Sequence, residues 1–304
     1  MHMGGGIRQA GSLGKYPPVR PALLAKPERR RYRPLPHHGD LRMPRFAANL
    51  SMMFTEVPFL DRFGAAAKAG FKAVEFLFPY EHPAAEIRRR LDDGGLQVVL
   101  FNMPPGNWAA GERGIAALPG RAAEFSDGVL RALEYADALG CKLLHAMAGI
   151  PPEGTQPLTA ASLFAVNLAH ACDKAHAAGV KVVIEPINHR DMPRYHLNTA
   201  EQAAAIIAAI GPDRLGLQYD IYHTQITQGD ITRRIEGLLP LIAHMQAADV
   251  PGRNEPGTGE IGWQYVFDRI DALGYAGWIG LEYRPAGETV AGLDWRERYR
   301  LRRA

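Results

Sequence analysis

From Met43 onward the chain alternates between two hydrophobic patterns. Short, nearly continuous apolar runs recur as RFAANLSM, KAVEFLFP, QVVLFNMP, KLLHAMAG, VKVVIEPIN, RLGLQYD, HMQAAD and WIGLEYRP. Strands buried on both faces read this way, because neither face keeps a polar register. Between them lie segments with the 3/4 spacing of a helix that buries one face. In PFLDRFGAAAKAG, Leu60, Phe63 and Ala67 share that face and Gly70 closes the helix. AAEIRRRLDDGG, EFSDGVLRALEYADALG, TAASLFAVNLAHACDKAHAAG, TAEQAAAIIAAIG, DITRRIEGLLPLI and WQYVFDRIDALG repeat the pattern, several ending in Gly just before the next strand. Eight strands with seven intervening helices predict an α/β fold, a single (β/α)8 TIM barrel. A doubly wound sheet alternates in the same way, but the count of eight and a length of roughly 260 residues favour the barrel.

The predicted barrel is elaborated at one end. MPPGNWAAGERGIAALPGRAAE follows the third strand, AGIPPEGTQPLTA the fourth, EPINHRDMPRYHLN the fifth and ADVPGRNEPGTGE the seventh, whereas the helix-to-strand links are only two to four residues. Barrels build their active sites at the strand-to-helix end. Four strands deliver an oxygen-bearing side chain to that end: Glu185 in IEPIN, Asp220 in LQYD, Gln246 in HMQAAD and Glu282 in GLEYRP. They recur at intervals of roughly 25 to 40 residues, enough for strand, loop and helix. Convergent strand ends would gather them into one pocket.

Three carboxylates and an amide oxygen around one point suit a hard divalent cation. A single buried carboxylate is often a satisfied ion pair, but several at adjacent strand ends are not easily structural. Metal plus two acids across one carbon is an arrangement for moving a proton between neighbouring carbons of an α-hydroxy carbonyl compound, through an enediolate. Histidine offers no separate zinc case, since HExxH and HxH are absent. His170 and His176 read as surface positions on a helix. His223, three beyond Asp220, is placed to reach the pocket, either to bind substrate or as packed core. Gly257, Gly259 and Gly262 match GxGxxG, but PGRNEP separates them from the strand and one strand alone remains downstream, which excludes a dinucleotide half-domain. A phosphate site there is weakened by Glu255 and Glu260.

Charge divides the chain. Residues 1–42 carry nine Lys/Arg and two Asp/Glu, a net +7, while the rest has 26 basic against 30 acidic residues, a net −4. The first stretch is rich in Gly, Pro and Arg without amphipathic period, and reads as a disordered or artefactual extension before a barrel domain at 43–304. A mildly acidic body argues against a nucleic-acid partner. Neither a secretory signal nor a run of about 18 apolar residues occurs, so no membrane span is expected. Cys141 and Cys172 are the only cysteines, without CxxC, and read as buried thiols of a cytoplasmic protein. Self-assembly into a homo-oligomer stays open.

From Arg45 to about Arg284 the sequence resembles hydroxypyruvate isomerase, in the xylose-isomerase-like group of TIM barrels. The resemblance lies in RFAANLSMMF, VEFLFPY, GNWAAGERGIAALPGR, IEPIN, QYDIYH, NEPGTGEI and GWIGLEYRP taken together. It implies that Glu185 and Glu282 are both metal ligands and the proton-transferring pair, with Asp220 and Gln246 the remaining ligands. It also implies interconversion of hydroxypyruvate and 2-hydroxy-3-oxopropanoate. An oxygen-only ligand set suits Mg²⁺ or Mn²⁺. The substrate carboxylate needs a cation, for which Arg253 and then Arg113 are the candidates, each otherwise a surface loop arginine. Three rivals remain: a 2-oxo-tetronate isomerase, a non-catalytic sugar-binding barrel, and a phosphodiester-cleaving barrel. The last would need several zinc ions, many His ligands and a basic groove.

Overall fold

Eight parallel strands close into a barrel in sequence order, each paired with its neighbours. They are β1 (Arg45–Asn49), β2 (Ala73–Phe76), β3 (Gln97–Asn102), β4 (Leu143–His145), β5 (Lys181–Ile184), β6 (Leu215–Asp220), β7 (Ile242–Gln246) and β8 (Trp278–Leu281). The ring is sealed by β1 against β8, with Arg45 opposite Trp278 and Ala48 opposite Leu281. The structure is a computed structural model that describes residues 44–300. The extension expected at 1–42 lies outside the described residues.

All seven expected helices form: α1 (Phe59–Lys68), α2 (Ala84–Gly94), α3 (Ala122–Leu139), α4 (Pro157–Ala177), α5 (Ala200–Ile210), α7 (Ile231–Leu238) and α8 (Trp263–Ala272). On α3 the buried positions are Phe125, Val129, Ala132, Ala136 and Leu139, the 3/4 stripe that turns one face to the strands. Helix α5 starts on a capping box, in which Thr199 accepts from the Gln202 amide while the Gln202 side chain accepts from Thr199 N.

Two short helices escaped the pattern. α6 (Ile221–Thr227) springs directly from β6, with Asp220 as its N-cap accepting from Tyr222 N at 2.8 Å. α9 (Trp295–Arg300) completes the ring: Trp295 stacks at 6.0 Å on Phe267 of α8 and meets Phe46 of β1 edge-on at 5.3 Å. Both are too short to show a period of their own. His170 corrects another expectation. It is half-buried between helices rather than on the surface, its Nε2 3.0 Å from Ser126 Oγ of α3, whereas His176 is exposed as expected. Cys141 and Cys172 are free and buried, and burial pushes both thiols up to about 12. Among the described residues, no helix is long and apolar enough to cross a membrane.

Candidate active site

The barrel gathers what the strand ends promised. Asp220 and Gln246 are the last residues of β6 and β7, while Glu185 and Glu282 come one residue after β5 and β8. All four are buried. His223, on the first turn of α6, joins them: its Nε2 is 3.7 Å from Asp220 Oδ2 and 3.8 Å from Glu185 Oε1. Glu185, Asp220 and His223 each offer an atom within 4.8 Å of the others. Arg253 enters from the loop after β7, with Nη2 2.7 Å from Glu282 Oε1 and 3.6 Å from Asp220 Oδ2. Gln246 Nε2 donates to Glu282 Oε2, and its oxygen accepts from Gln218 at 2.7 Å. Arg113 stays in its own loop. Its guanidinium lies 4.1 Å over the Trp108 ring and donates to the carbonyls of Trp108 and Glu112.

Two carboxylate oxygens in this cluster, Glu185 Oε1 and Asp220 Oδ2, are buried without a hydrogen-bond partner. Leaving a buried acceptor unpaired is costly, so these are the two carboxylate oxygens of the cluster left open to a ligand. Burial, and then the charges of Glu282 and Asp220, hold Glu185 well above the usual carboxylate range. Burial raises Glu282 and Asp220 too, in spite of Arg253 beside both. Burial works against the charge on Arg253, but Glu282, Asp220, Glu185 and Asp191 outweigh it and hold the guanidinium protonated. The two open carboxylate oxygens, of Glu185 and Asp220, fit a hard divalent ion, whereas both oxygens of Glu282 are taken by Gln246 and Arg253.

Several participants carried no signal that was read from the sequence. His145, the last residue of β4, places Nδ1 3.6 Å from Glu185 Oε2, and neither ring nitrogen has a hydrogen-bond partner. Burial lowers its imidazole to about 3, so it is neutral. It obeys the same rule as the acids, a polar side chain at a strand end, and that rule would have found it. Asn188, in IEPIN, fixes the tautomer of His223. Its Oδ1 accepts from Arg190 N and Asp191 N at 3.0 and 2.8 Å, so its Nδ2 must be the atom 2.6 Å from His223 Nδ1. The backbone N of Asn188 also points at that nitrogen, at 3.4 Å. Nδ1 is therefore an acceptor, and burial keeps the ring neutral, so Nε2 carries the proton and faces the acids as a donor.

The glycine-rich loop after β7 has a different purpose from the one its motif suggests. The buried Asp249 carboxylate accepts from four backbone amides, Val250 and Gly257 and Gly259 at 2.9 Å and Ile261 at 3.1 Å. A Cβ at Gly259 would sit 1.9 Å from Val250 O, so only glycine lets the chain wrap this tightly. These amides are directed at Asp249 and are not free for a phosphate. The wrap turns Arg253 inward: its N donates to Asp249 O at 2.9 Å, and its guanidinium lies 4.9 Å from the Tyr222 ring centroid.

A barrel with this acid cluster at its C-terminal mouth has relatives. Residues 63–299 match the xylose isomerase-like TIM barrel family, and the chain belongs to it. A 2-oxo-tetronate isomerase of Cupriavidus necator is 53% identical over 257 residues, covering 84% of this chain and 99% of that protein. A hydroxypyruvate isomerase of Escherichia coli K12 is 45% identical over 258 residues, covering 85% and 100%. A solved structure described as an AP endonuclease of family 2 from Brucella melitensis is 49% identical with a TM-score of 0.82, covering 84% and 99%. The chain is an enzyme of the isomerase type.

Proposed function

We infer that this isomerase interconverts hydroxypyruvate and 2-hydroxy-3-oxopropanoate with the help of a divalent metal, Mg²⁺ or Mn²⁺. The observation that carries the reading is the pair of unpartnered oxygens on Glu185 and Asp220, with Glu282 joined to them through Arg253, which lies against both Asp220 and Glu282. Glu185, Asp220 and Glu282 would hold the ion. Gln246 would complete the set once its carboxamide turns its oxygen away from Gln218 and toward the acids. When bound, the ion would draw electron density from the substrate's carbonyl and hydroxyl oxygens and acidify the C–H between them.

The remaining chemistry belongs to side chains. One Glu, ionised at the start, takes a proton from the hydroxymethyl carbon, and the other, protonated at the start, gives its own proton to the former carbonyl carbon; the hydroxyl proton passes to the neighbouring oxygen, and the pair ends with its protonation reversed. Each transfer is worth about 100-fold to 10,000-fold in rate. The raised proton affinity of both Glu side chains suits this exchange, because a strongly held proton makes a stronger base. Arg253 receives the substrate carboxylate, and the His223 Nε2–H donates to a substrate oxygen. Among the described residues two imidazoles, His223 and His145, stand beside these acids, and the one grouped with Glu185 and Asp220 turns a donor toward them, a poor match for a His-rich zinc centre acting on phosphodiesters.

The Cupriavidus necator relative favours a second reading, with 2-oxo-tetronate as substrate. A panel of hydroxypyruvate against four-carbon 2-oxo acids, with and without chelator, tests both. Turnover of the three-carbon acid alone, abolished by chelator and restored by Mg²⁺ or Mn²⁺, is the expected result. A rate confined to the four-carbon acid selects the second reading, and chelator-insensitive turnover removes the metal.

A further inference from the structure

Beneath the acids lies a second polar layer that the reaction as written does not use. Glu75 of β2, 1% exposed, reaches across the barrel interior to β7, which is not a neighbour of β2. Its Oε1 accepts from Asn49 Nδ2 at 2.9 Å and from Gln246 Nε2 at 2.8 Å. Its Oε2 lies 2.6 Å from His244 Nε2. Gly280 of β8 makes the room, because a Cβ there would lie 2.1 Å from Glu75 Oε2. Strand register slips between Val74 and Glu75, and again between Leu217 and Gln218. Such irregularities re-aim the side chain that follows. The two re-aimed side chains grip the same group: Gln218 holds the oxygen of Gln246, and Glu75 and Glu282 share its nitrogen.

Glu75 Oε1 already accepts from the Asn49 amide and so presents an acceptor to its other neighbour, whereas a carboxamide has a donating end and an accepting end. A carboxylate at position 75 therefore selects the nitrogen of Gln246 and rejects its oxygen. We propose that Glu75 is a positioning residue that sets the orientation of the Gln246 carboxamide, fixing Gln246 as a donor to Glu282. Its consequence for metal binding rests on the metal-assisted reading above: Gln246 offers its oxygen to an ion only against the preference of Glu75.

Glu75→Gln tests both parts, since it keeps shape and can present N–H to the Gln246 oxygen. In metal-free, full-length protein the side-chain amide protons of Gln246, assigned by their loss in Gln246→Leu, are followed by NMR. With two carboxylate acceptors they resonate downfield of ordinary glutamines, and in Glu75→Gln they move back. Gln218→Leu leaves them in place, because Glu75 still selects the nitrogen. Calorimetric titration with Mn²⁺ alone then tightens by about tenfold in Glu75→Gln, the size of one lost charge-assisted hydrogen bond. Under the same conditions kcat falls with KM nearly unchanged. Should Glu75→Gln fail to fold, Glu75→Asp withdraws the carboxylate and moves the resonances in the same direction. Unmoved Gln246 resonances in a folded variant overturn the proposal. Mn²⁺ binding that weakens together with turnover also overturns it, since that is what a merely structural carboxylate produces. Wild-type protein that binds no Mn²⁺ sinks the metal-assisted reading instead, and the metal-free resonances still decide the role of Glu75.

Discussion

Asp220 and Asp249 sit some thirty residues apart on the same face of the barrel, 2% and 1% exposed, and differ in what their oxygens meet. Both oxygens of Asp249 are filled by four backbone amides of its own loop. Asp220 spends one oxygen capping α6 and leaves Oδ2 without a hydrogen-bond partner, facing Glu185, His223 and Arg253. Equal burial thus serves two ends. A carboxylate whose acceptors are all used organises chain, and one held open among other acids is available to chemistry.

The sharpest way to break this comparison is at the open end. Glu282→Gln is expected to lower kcat by about 100-fold or more, the range of a lost general acid–base group. Metal content must be measured alongside. A variant that keeps its metal and near-normal turnover would remove Glu282 from proton transfer.

The closed end predicts the opposite balance. Asp249→Asn turns an amide nitrogen toward backbone donors and is expected to cost about 2 kcal/mol of stability, read as a lower melting temperature. Turnover falls with it, because the same wrap delivers Arg253. An unchanged melting temperature would mean that the loop holds its shape without the carboxylate.

A smaller effect separates the two ends by pH. Glu185, Glu282 and Asp220 are raised in the folded protein, so their protonated forms favour folding. That contribution is complete below the ordinary carboxylate range, near pH 4, and is lost as pH rises through the folded values, because the unfolded chain ionises first. Buried, neutral His145 and His223 act in the opposite sense below the ordinary imidazole range, so the acids are read above it: metal-free protein should melt lower at about pH 8 than at about pH 7, and the stabilisation by added Mg²⁺ or Mn²⁺ should grow over the same interval. Thermal melts with and without chelator check this, and a pH-independent difference would contradict an acid cluster that awaits an ion.

The smallest effect is expected from the basic N-terminal stretch. Starting the chain at Met43 should change neither melting temperature nor turnover, since residues 1–42 have no patterned apolar face. A large loss in either would show that this stretch packs on the barrel.

The barrel itself was legible because parallel strands buried on both faces leave apolar runs, and helices between them leave 3/4 stripes. Glu185, Asp220, Gln246 and Glu282 were legible for a related reason: each interrupts the apolar pattern where a strand ends, and topology alone sends such positions to one mouth. A seven-residue helix such as α6 leaves no stripe, and Glu75 and His244 inside strands give no local sign of the partner each will meet across the barrel. Choosing Arg253 over Arg113 needed the loop around Asp249. Assigning the proton on His223 needed Asn188 held by its own turn. The sequence by itself determined which elements form and which ends carry acid, since both depend on neighbours in the chain. Tertiary structure alone decided which polar atoms are satisfied and which stay open, because hydrogen bonds across a barrel join residues as far apart as Glu75 and Gln246, and no local pattern encodes that meeting.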